Sequence, residues 1–320
     1  MDNKRKYIEF STQQALPLHM QPWWLDAVCG AAHWEVALSF DGEQKINGAL
    51  PYFLTTTRGL SSIRMPAFTD YAGIWMQLPS APDMKQERRY DIEMRIISTL
   101  CAQLPVVVFY DQSFYPDVEN WLPFYWQGFR QTTRYTYVLD GKLAPDAVYE
   151  AFRSSLKKDL RKAERTVRAV VSDDAEAFYQ IYQTSFSRQN LPTSHGLEAF
   201  LQMNAAAKAQ NCRRIYLAQD AENAALHAGL YVVWDAQTAY FLLSGADANL
   251  RSSGALFLLQ WQAIQDFLAM GLGIDFCGSV LPNVENAMRA FGAVRVPHFR
   301  IYKARNRFWR LLAIAFGKDY

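Results

Sequence analysis

Two hydrophobic periodicities divide the chain into predicted strands and helices. Short apolar or alternating runs predict strands at residues 35–40, 48–54, 63–65, 73–76, 106–110, 214–218, 226–234, 239–243, 273–276 and 294–302. Apolar residues at helical spacing predict helices at residues 83–104, 174–186, 196–209, 255–270 and 283–290. Because strands and helices alternate along the chain, the pattern predicts an α/β fold with a mixed sheet.

A further amphipathic helix is predicted at residues 146–171. Its apolar stripe, at spacings of three and four, consists of Phe152, Leu156, Leu160, Ala163 and Val167. Its other faces carry the cations Arg153, Lys157, Lys158, Arg161, Lys162, Arg165 and Arg168. Such a run is commonly a solvated face, but like charges on one helix repel each other unless an anionic partner offsets them. Both a solvated face and a polyanion-binding face are therefore open interpretations.

One sequence unit occurs twice in the chain. Residues 109–121 read FYDQSFYPDVENW, and residues 275–287 read DFCGSVLPNVENA. The matching positions, at one constant offset, are Ser113 and Ser279, Pro116 and Pro282, and Val118-Glu119-Asn120 and Val284-Glu285-Asn286. A proline-started helical turn used twice is the simpler alternative. We predict instead an internal duplication, with a first domain at residues 1–140 and a second at residues 141–320.

The polar segment between the predicted strand 239–243 and the predicted helix 255–270 is the leading candidate for ligand binding. It contains Arg251, Ser252, Ser253, Gly254 and Ala255. Backbone N–H groups exposed at a helix start can hold a phosphate or an oxyanion, and an arginine adds charge beside them. Alternatively, the serines only cap the helix and Gly254 only permits close packing. If the turn binds a ligand, Gly254→Val is expected to abolish binding and leave the fold intact.

Composition and charge narrow the function classes. The chain has a net charge of +2, with 12 basic against 15 acidic residues through Asp140 and 21 against 16 afterwards. This excess is far below that of a dedicated nucleic-acid-binding protein. The cysteines Cys29, Cys101, Cys212 and Cys277 form no CxxC pair, so we expect no metal site, no disulfide framework and a cytoplasmic location. No apolar run reaches the length of a membrane span.

The end of the chain is a candidate for peripheral membrane contact. Residues 308–316 are apolar enough to lie in a membrane interface and too short to cross a bilayer. Lys303, Arg305, Arg307 and Arg310 precede or interleave with them. The alternative interpretation is a helix that covers the core of the second domain.

Several of these segments together resemble the GNAT-fold acyltransferases, and within them the tandem-domain relatives of the Fem enzymes, which add amino acids to peptidoglycan precursors. The resemblance covers nearly the whole chain. It is carried by Pro22-Trp23-Trp24-Leu25, the SSLKKDLRKA run at residues 154–163, Leu243-Ser244-Gly245-Ala246, Arg251-Ser252-Ser253-Gly254-Ala255 and Phe291-Gly292-Ala293. It implies two tandem GNAT-like domains, each with splayed central strands flanked by helices.

The resemblance also implies a donor and an acceptor. The donor is an acyl-CoA or an aminoacyl-tRNA, and the acceptor is an amine, for which a cell-envelope precursor is a candidate. The turn at Arg251–Ala255 corresponds to the pyrophosphate-binding turn of members that use acetyl-CoA. Leu256 occupies the place of a second small residue in that turn, and Met288 lies in the helix where related enzymes commonly carry a lysine.

Candidates for acid, base and carbonyl-stabilising roles are Asp275, Glu285 and Arg289. An arginine can stabilise an oxyanion but cannot act as a neutral base. The simpler interpretations are a turn carboxylate for Asp275 and a helix N-terminal charge for Glu285. The first functional hypothesis is an acyltransferase that holds a carbonyl between splayed strands. The second is a catalytically silent GNAT-like module that serves in binding or as a scaffold.

Overall fold

The computed structural model describes residues 2–79, 84–187 and 195–315. The chain folds into two compact units. Unit 1 consists of Met1–Arg134 and Pro297–Tyr320, and unit 2 consists of Tyr135–Val296. The predicted division at residue 140 differs from this arrangement because the last segment of the chain belongs to unit 1. That segment includes most of the final strand, whose pairing partner lies in the first half of the sequence.

The first half of the chain contains four α-helices and six strands within the described ranges. In chain order they are α1 (Asn3–Ser11), α2 (Pro22–Cys29), β1 (Trp34–Phe40), β2 (Ile46–Thr57), β3 (Leu60–Arg64), β4 (Trp75–Met76), α3 (Gln86–Ala102), β5 (Phe109–Ser113), α4 (Leu122–Trp126) and β6 (Arg130–Leu139). The predicted strand at residues 106–110 begins only at Phe109, and Val106 is exposed. An apolar run therefore marked a surface loop followed by a strand.

The second half continues with α5 (Pro145–Glu150), α6 (Ser154–Thr166), β7 (Val167–Ser172), α7 (Ala175–Ser187), α8 (Leu197–Ala209), β8 (Arg213–Asp220), β9 (Leu226–Trp234) and β10 (Thr238–Ala246). It ends with α9 (Ala255–Ala269), β11 (Gly273–Asp275), α10 (Pro282–Arg289), β12 (Val294–Ala304) and α11 (Arg307–Ala315). None of the helices in the described ranges combines the length and apolar content needed to cross a bilayer.

The predicted single helix at residues 146–171 is wrong in its extent. The chain forms the short helix α5, breaks at Arg153, whose backbone is extended, and resumes as α6. Val167 then starts strand β7, so Arg168 lies in a strand and not on the basic helix. The apolar spacing continues across these breaks because Phe152, Leu156, Leu160 and Val167 all enter one core.

In unit 1, the strand order is β1-β2-β3-β5-β12, with β4 paired to β2. Strand β5 pairs in parallel with β3 and antiparallel with the end of β12, where Arg300 faces Ser113 and Ala304 faces Phe109. Ile97, Leu100 and Phe114 belong to the apolar core that packs on this sheet. The C-terminal strand thus completes the sheet of unit 1.

In unit 2, the strand order is β6-β11-β10-β9-β8-β7. One face packs against α6, α9 and α10 through a core that includes Leu160, Leu259 and Phe291. The other face packs against α7 and α8, where the rings of Phe178, Phe200 and Tyr231 lie within 5.5 Å of one another. Strand β11 again pairs in parallel with one neighbour, β10, and antiparallel with the other, β6.

The two halves repeat one arrangement. In each, an antiparallel pair (β2 and β3, or β9 and β10) leads through a helix (α3 or α9) to a strand parallel to the second member of that pair. A short helix (α4 or α10), a glycine with positive φ (Gly128 or Gly292) and a further strand follow. The repeat of one mixed α/β arrangement in the two halves, predicted from the repeated sequence unit, is therefore confirmed.

Candidate active site

The central feature of unit 2 is a gap between two parallel strands. Strands β10 and β11 are paired only from Thr238 with Gly273 to Tyr240 with Asp275. Beyond this point β10 continues to Ala246, whereas the chain after Asp275 turns away through two consecutive residues with positive φ, Cys277 and Gly278. The central strands of unit 2 are thus splayed, as the GNAT-like fold requires.

The edge of this gap contains an irregular stretch of β10. Its register with β9 shifts between Tyr240 and Leu243, so the bulge leaves one residue without a partner in the ladder. The bulge follows directly after the last pair with β11. Backbone N–H groups at such a position can polarise a carbonyl that enters the gap.

The predicted donor turn leads from β10 into helix α9. Arg251–Ser253 form a short 3₁₀ turn, and Gly254 adopts a left-handed conformation with φ of 74° immediately before Ala255. The Ser253 hydroxyl accepts a hydrogen bond from the N–H of Ala255 at 3.3 Å. Leu256 packs against the core of unit 2. Residues 247–254 thus separate the end of the splayed strand from the N-terminus of this 15-residue helix.

Helix α6 packs directly on this turn, a contact that the sequence does not reveal. A Cβ atom built on Gly254 would lie 2.8 Å from the backbone oxygen of Asp159. Lys162 donates a hydrogen bond from Nζ to the backbone oxygen of Ser252. The expectation that Gly254→Val leaves the fold intact is therefore wrong, because valine would require a left-handed backbone and would displace α6.

The predicted polyanion-binding residues divide into groups with different surroundings. Arg153 donates to Asn286 Oδ1 on α10 at 2.8 Å. Lys157 folds back onto Glu150, with an Nζ–Oε2 distance of 3.2 Å. The members whose side chains point to solvent on α6 are Lys158, Arg161 and Arg165, with Lys162 between them and the turn. Lys162 thus connects the turn to the exposed cations of α6, a face that also carries the exposed Asp159 and Glu164.

Asp275 lies at the last residue pair before the strands separate. Its side chain is buried, and its Oδ1 accepts hydrogen bonds from the Thr136 hydroxyl and from the N–H of Cys277 at 2.7 Å. The second bond supports the left-handed backbone at Cys277. Asp275 therefore fixes the turn by which the chain leaves β11, which agrees with the simpler interpretation of a turn carboxylate.

Glu285 and Arg289 form a second cluster on α10. The Tyr137 hydroxyl donates to Glu285 Oε1, and Arg289 Nε lies 3.3 Å from the same oxygen. This hydrogen bond from Tyr137 to the carboxylate, together with burial, raises the pKa of the tyrosine. Met288 is buried in the core of unit 2 and does not face solvent.

The structure does not bring the three predicted catalytic side chains together. Thr136 and Tyr137 are neighbours on β6, so their side chains point to opposite faces of the sheet. Thr136 binds Asp275, and Tyr137 binds Glu285. Asp275 thus lies on the face covered by α7 and α8, whereas Glu285 and Arg289 lie on the face covered by α9.

Sequence reasoning did not identify Thr136, Tyr137 or Asn286 as members of these clusters. Thr136 and Tyr137 lie in β6, which comes from the first half of the chain and pairs with β11 in the second. No local motif indicates this pairing. Asn286 belongs to the VEN triplet that occurs in both copies of the repeated unit. This repetition of a polar residue was the only feature of the sequence that pointed to one of these three residues.

Comparisons with known proteins identify the family. A family model described as an acetyltransferase (GNAT) domain matches residues 150–312. The chain belongs to this family. A comparison with curated proteins finds no match. As a member, the chain is an acyltransferase, so the hypothesis of a silent module is not supported.

Solved structures support the same fold across the whole chain. The crystal structure of FemX has a TM-score of 0.65 at 11% identity and covers 92% of this chain and 95% of its own. A C-terminal domain described as that of a lysylphosphatidylglycerol synthetase from Agrobacterium fabrum has a TM-score of 0.54 at 11% identity and covers 98% and 95%. L-PGS from Bacillus licheniformis has a TM-score of 0.54 at 10% identity, with 98% and 95% covered. At these identities the likeness concerns the fold.

Proposed function

We propose that unit 2 transfers an acyl group from an anionic donor, acyl-CoA, to an amine. The observation that carries the proposal is the gap between β10 and β11, which opens at a strand bulge in the strand that precedes α9 in the chain. A thioester carbonyl in this gap would meet backbone N–H groups that stabilise the oxyanion formed on attack.

The donor's phosphates would bind at the turn Arg251–Ala255. A helix N-terminus offers free N–H groups and the positive end of the helix dipole. Lys162, which is held over the Ser252 carbonyl, would add a cation beside them. Because α6 already packs against Gly254, the phosphate site would be preformed.

The acceptor amine would approach from the face covered by α7 and α8. Asp275 lies on that face at the point where the strands separate, and a buried carboxylate attracts an ammonium group. In the reaction the amine nitrogen forms a bond to the carbonyl carbon, and the carbon–sulfur bond breaks. The proton of the amine passes to the departing CoA thiolate, either directly or through a base. Asp275 would orient the amine, and Glu285 with Arg289 would act on the donor side.

Aminoacyl-tRNA is the second candidate donor, favoured by a separate observation. The exposed cations Lys158, Arg161 and Arg165 lie on α6, the helix that packs on the turn. The few phosphates of acyl-CoA are too close together to contact all three cations, whereas the phosphate backbone of a tRNA acceptor stem is long enough to do so. The resemblance in fold to FemX and to L-PGS is compatible with an envelope precursor or a lipid as the acceptor.

The test measures binding of acetyl-CoA and of charged tRNA by titration calorimetry and filter binding. Ser244, an exposed residue of β10 beyond the last pair with β11, is replaced by tryptophan to fill the gap. Thr56→Trp, at an exposed position of β2, is the matched control. We expect S244W to weaken acetyl-CoA binding by about ten-fold or more, because a filled site loses its ligand contacts.

The two donors are separated by the triple variant Lys158→Gln, Arg161→Gln and Arg165→Gln. It should leave acetyl-CoA affinity nearly unchanged if acyl-CoA is the donor. It should weaken charged tRNA binding and reduce its salt dependence if tRNA is the donor, because fewer counterions are released. Failure of both donors to bind, or equal binding by wild type and S244W, would contradict the proposed site.

A further inference from the structure

Helix α11 in unit 1 presents an uncovered apolar face. Phe308 is 64% exposed, Leu311 68% and Ile314 50%. At 100° per residue these three side chains fall on one side of the helix. Large apolar side chains are normally exposed singly, whereas these three form a continuous stripe on a nine-residue helix.

The opposite side of α11 is firmly packed, so the exposure is a property of the folded helix. Asn306 caps the helix, because its Oδ1 accepts a hydrogen bond from the N–H of Trp309 at 3.1 Å. The ring of Trp309 lies 6.0 Å from that of Phe109 in an edge arrangement, and Ala313 is buried. The stripe is therefore held outward on a fixed support.

The stripe has apolar neighbours at the same end of the sheet. Strands β3 and β5 are parallel and both begin at this end, and the antiparallel β12 finishes here. Leu60 is 42% exposed at the start of β3, and Val106 is 79% exposed just before β5. Two backbone hydrogen bonds connect these segments, one from the Val108 N–H to the Ser61 carbonyl and one from the Arg305 N–H to the Val108 carbonyl.

The segments that carry the stripe and its apolar neighbours have charges of a single sign. Residues 57–64, 104–110 and 303–315 contain six basic residues and no aspartate or glutamate. Arg58, Arg305 and Arg307 are exposed around the apolar side chains. Lys303 does not contribute, because its Nζ donates to the Gln127 carbonyl at 2.7 Å and lies over the Phe129 ring.

We propose that this end of unit 1 docks on the surface of an anionic lipid bilayer. An apolar helical stripe bordered by arginines matches the interface, where side chains such as Phe, Leu and Ile enter the acyl boundary and cations meet anionic headgroups. A protein partner of ordinary surface would have to offer an apolar and strongly acidic patch together. The bilayer meets both requirements with one surface.

The experiment measures co-flotation of the full chain with vesicles of phosphatidylcholine alone or mixed with phosphatidylglycerol. Leu311→Gln with Ile314→Gln removes apolar contact and leaves the charge and the contact of Trp309 with Phe109 in place. We expect binding to the mixed vesicles to fall roughly ten-fold for each apolar side chain. Arg305→Gln with Arg307→Gln should lower it about five-fold for each cation and reduce its salt dependence.

Two controls make the outcome specific. Val171→Gln changes a side chain on β7 that is 63% exposed and belongs to unit 2, and it should bind vesicles as wild type does. Arg161→Gln with Arg165→Gln removes exposed cations of α6 and should also bind as wild type does. Circular dichroism melting of each variant should match wild type, because all of the changed side chains are at exposed positions.

Three results would overturn the proposal. Wild type could fail to float with the mixed vesicles. The Leu311 and Ile314 variant could bind as tightly as wild type, or the α6 variant could be the one that loses binding. Concentration-dependent dimerisation that depends on Leu311 without any vesicle binding would assign the stripe to a second copy of the chain instead.

Discussion

The two units carry the same strand pair and use it differently. In unit 2, β10 and β11 separate after Tyr240 and Asp275. In unit 1, the equivalent strands β3 and β5 separate after Ile63 and Tyr110, but the chain itself enters the space. Ala72 forms a bridge with Phe114 and donates to the Ser113 carbonyl at 2.6 Å. In unit 1 the space between the separated strands is thus occupied by the chain's own backbone.

The repeated motif shows the same divergence at the level of residues. Gln112 of the first copy continues strand β5, whereas Gly278, at the same offset in the second, turns the chain with φ of 60°. Val118 to Asn120 lie outside any helix, whereas Val284 to Asn286 lie in α10. Matched positions of the repeated motif thus adopt different backbone conformations in the two copies.

The strongest test of this comparison changes Gly278 to valine. A Cβ at this position would lie 2.3 Å from the Tyr135 backbone oxygen and would require a left-handed valine. We expect the free energy of unfolding to fall by about 3 kcal/mol or more, measured by urea denaturation. Gly42→Val, where nothing lies within 4 Å, is the control. Equal stability of the two variants would show that the turn is not needed.

The second prediction concerns pH and the buried histidines of unit 1. Burial lowers the pKa of His19 to about 3, and burial with the nearby Arg134 charge lowers that of His298 to about 4. Both are therefore neutral when folded, and the unfolded chain binds more protons below its ordinary pKa of about 6.5. The free energy of unfolding should therefore be highest above pH 6.5 and should fall as the pH decreases towards 4. The contribution of His298 to this decrease is about 3 kcal/mol.

Urea midpoints of wild type and His298→Gln across this range measure the effect. The variant should lose less stability between pH 6.5 and 4 than wild type does. Parallel curves for the two proteins would contradict a neutral, buried His298.

The third prediction concerns the cluster on α10. Tyr137→Phe removes the hydroxyl that donates to Glu285 and leaves the ring in the core. The free energy of unfolding should fall by about 1 to 2 kcal/mol, the usual cost of a lost hydrogen bond to a charged group. A double-mutant cycle with Glu285→Gln measures the coupling. Additive effects of the two changes would show that the bond does not contribute.

The prediction with the smallest expected effect compares the two asparagines of the repeated motif, Asn120 and Asn286. Asn120 Oδ1 accepts from the N–H of Leu122 at 3.1 Å, and its amide donates to Glu93. Asn120→Ala should cost about 1 kcal/mol in thermal denaturation, whereas the exposed Asn286→Ala should cost less than about 0.5 kcal/mol. A reversed order would mean that the second copy, rather than the first, keeps the structural role.

The candidate site was predictable from sequence only where it is local. The turn at Arg251–Ala255 follows a strand and precedes an apolar helix, and both boundaries are visible in the hydrophobic pattern. Glu285 and Arg289 are one helical turn apart, and the structure pairs them. Asp275 is a candidate from the sequence because it stands at the end of a predicted strand. The alternation of β6, which comes from the other half of the chain, places it on the opposite face.

The sequence by itself determined the α/β class, the tandem repeat and most helices, because periodicity records which side chains are buried. It does not indicate which other segments of the chain pack against those side chains. The tertiary structure alone decided that α6 covers the turn Arg251–Ala255, that β12 returns to unit 1 and that Ala72 occupies the gap between β3 and β5. These are contacts between segments distant in sequence, and each depends on the packing of the whole unit.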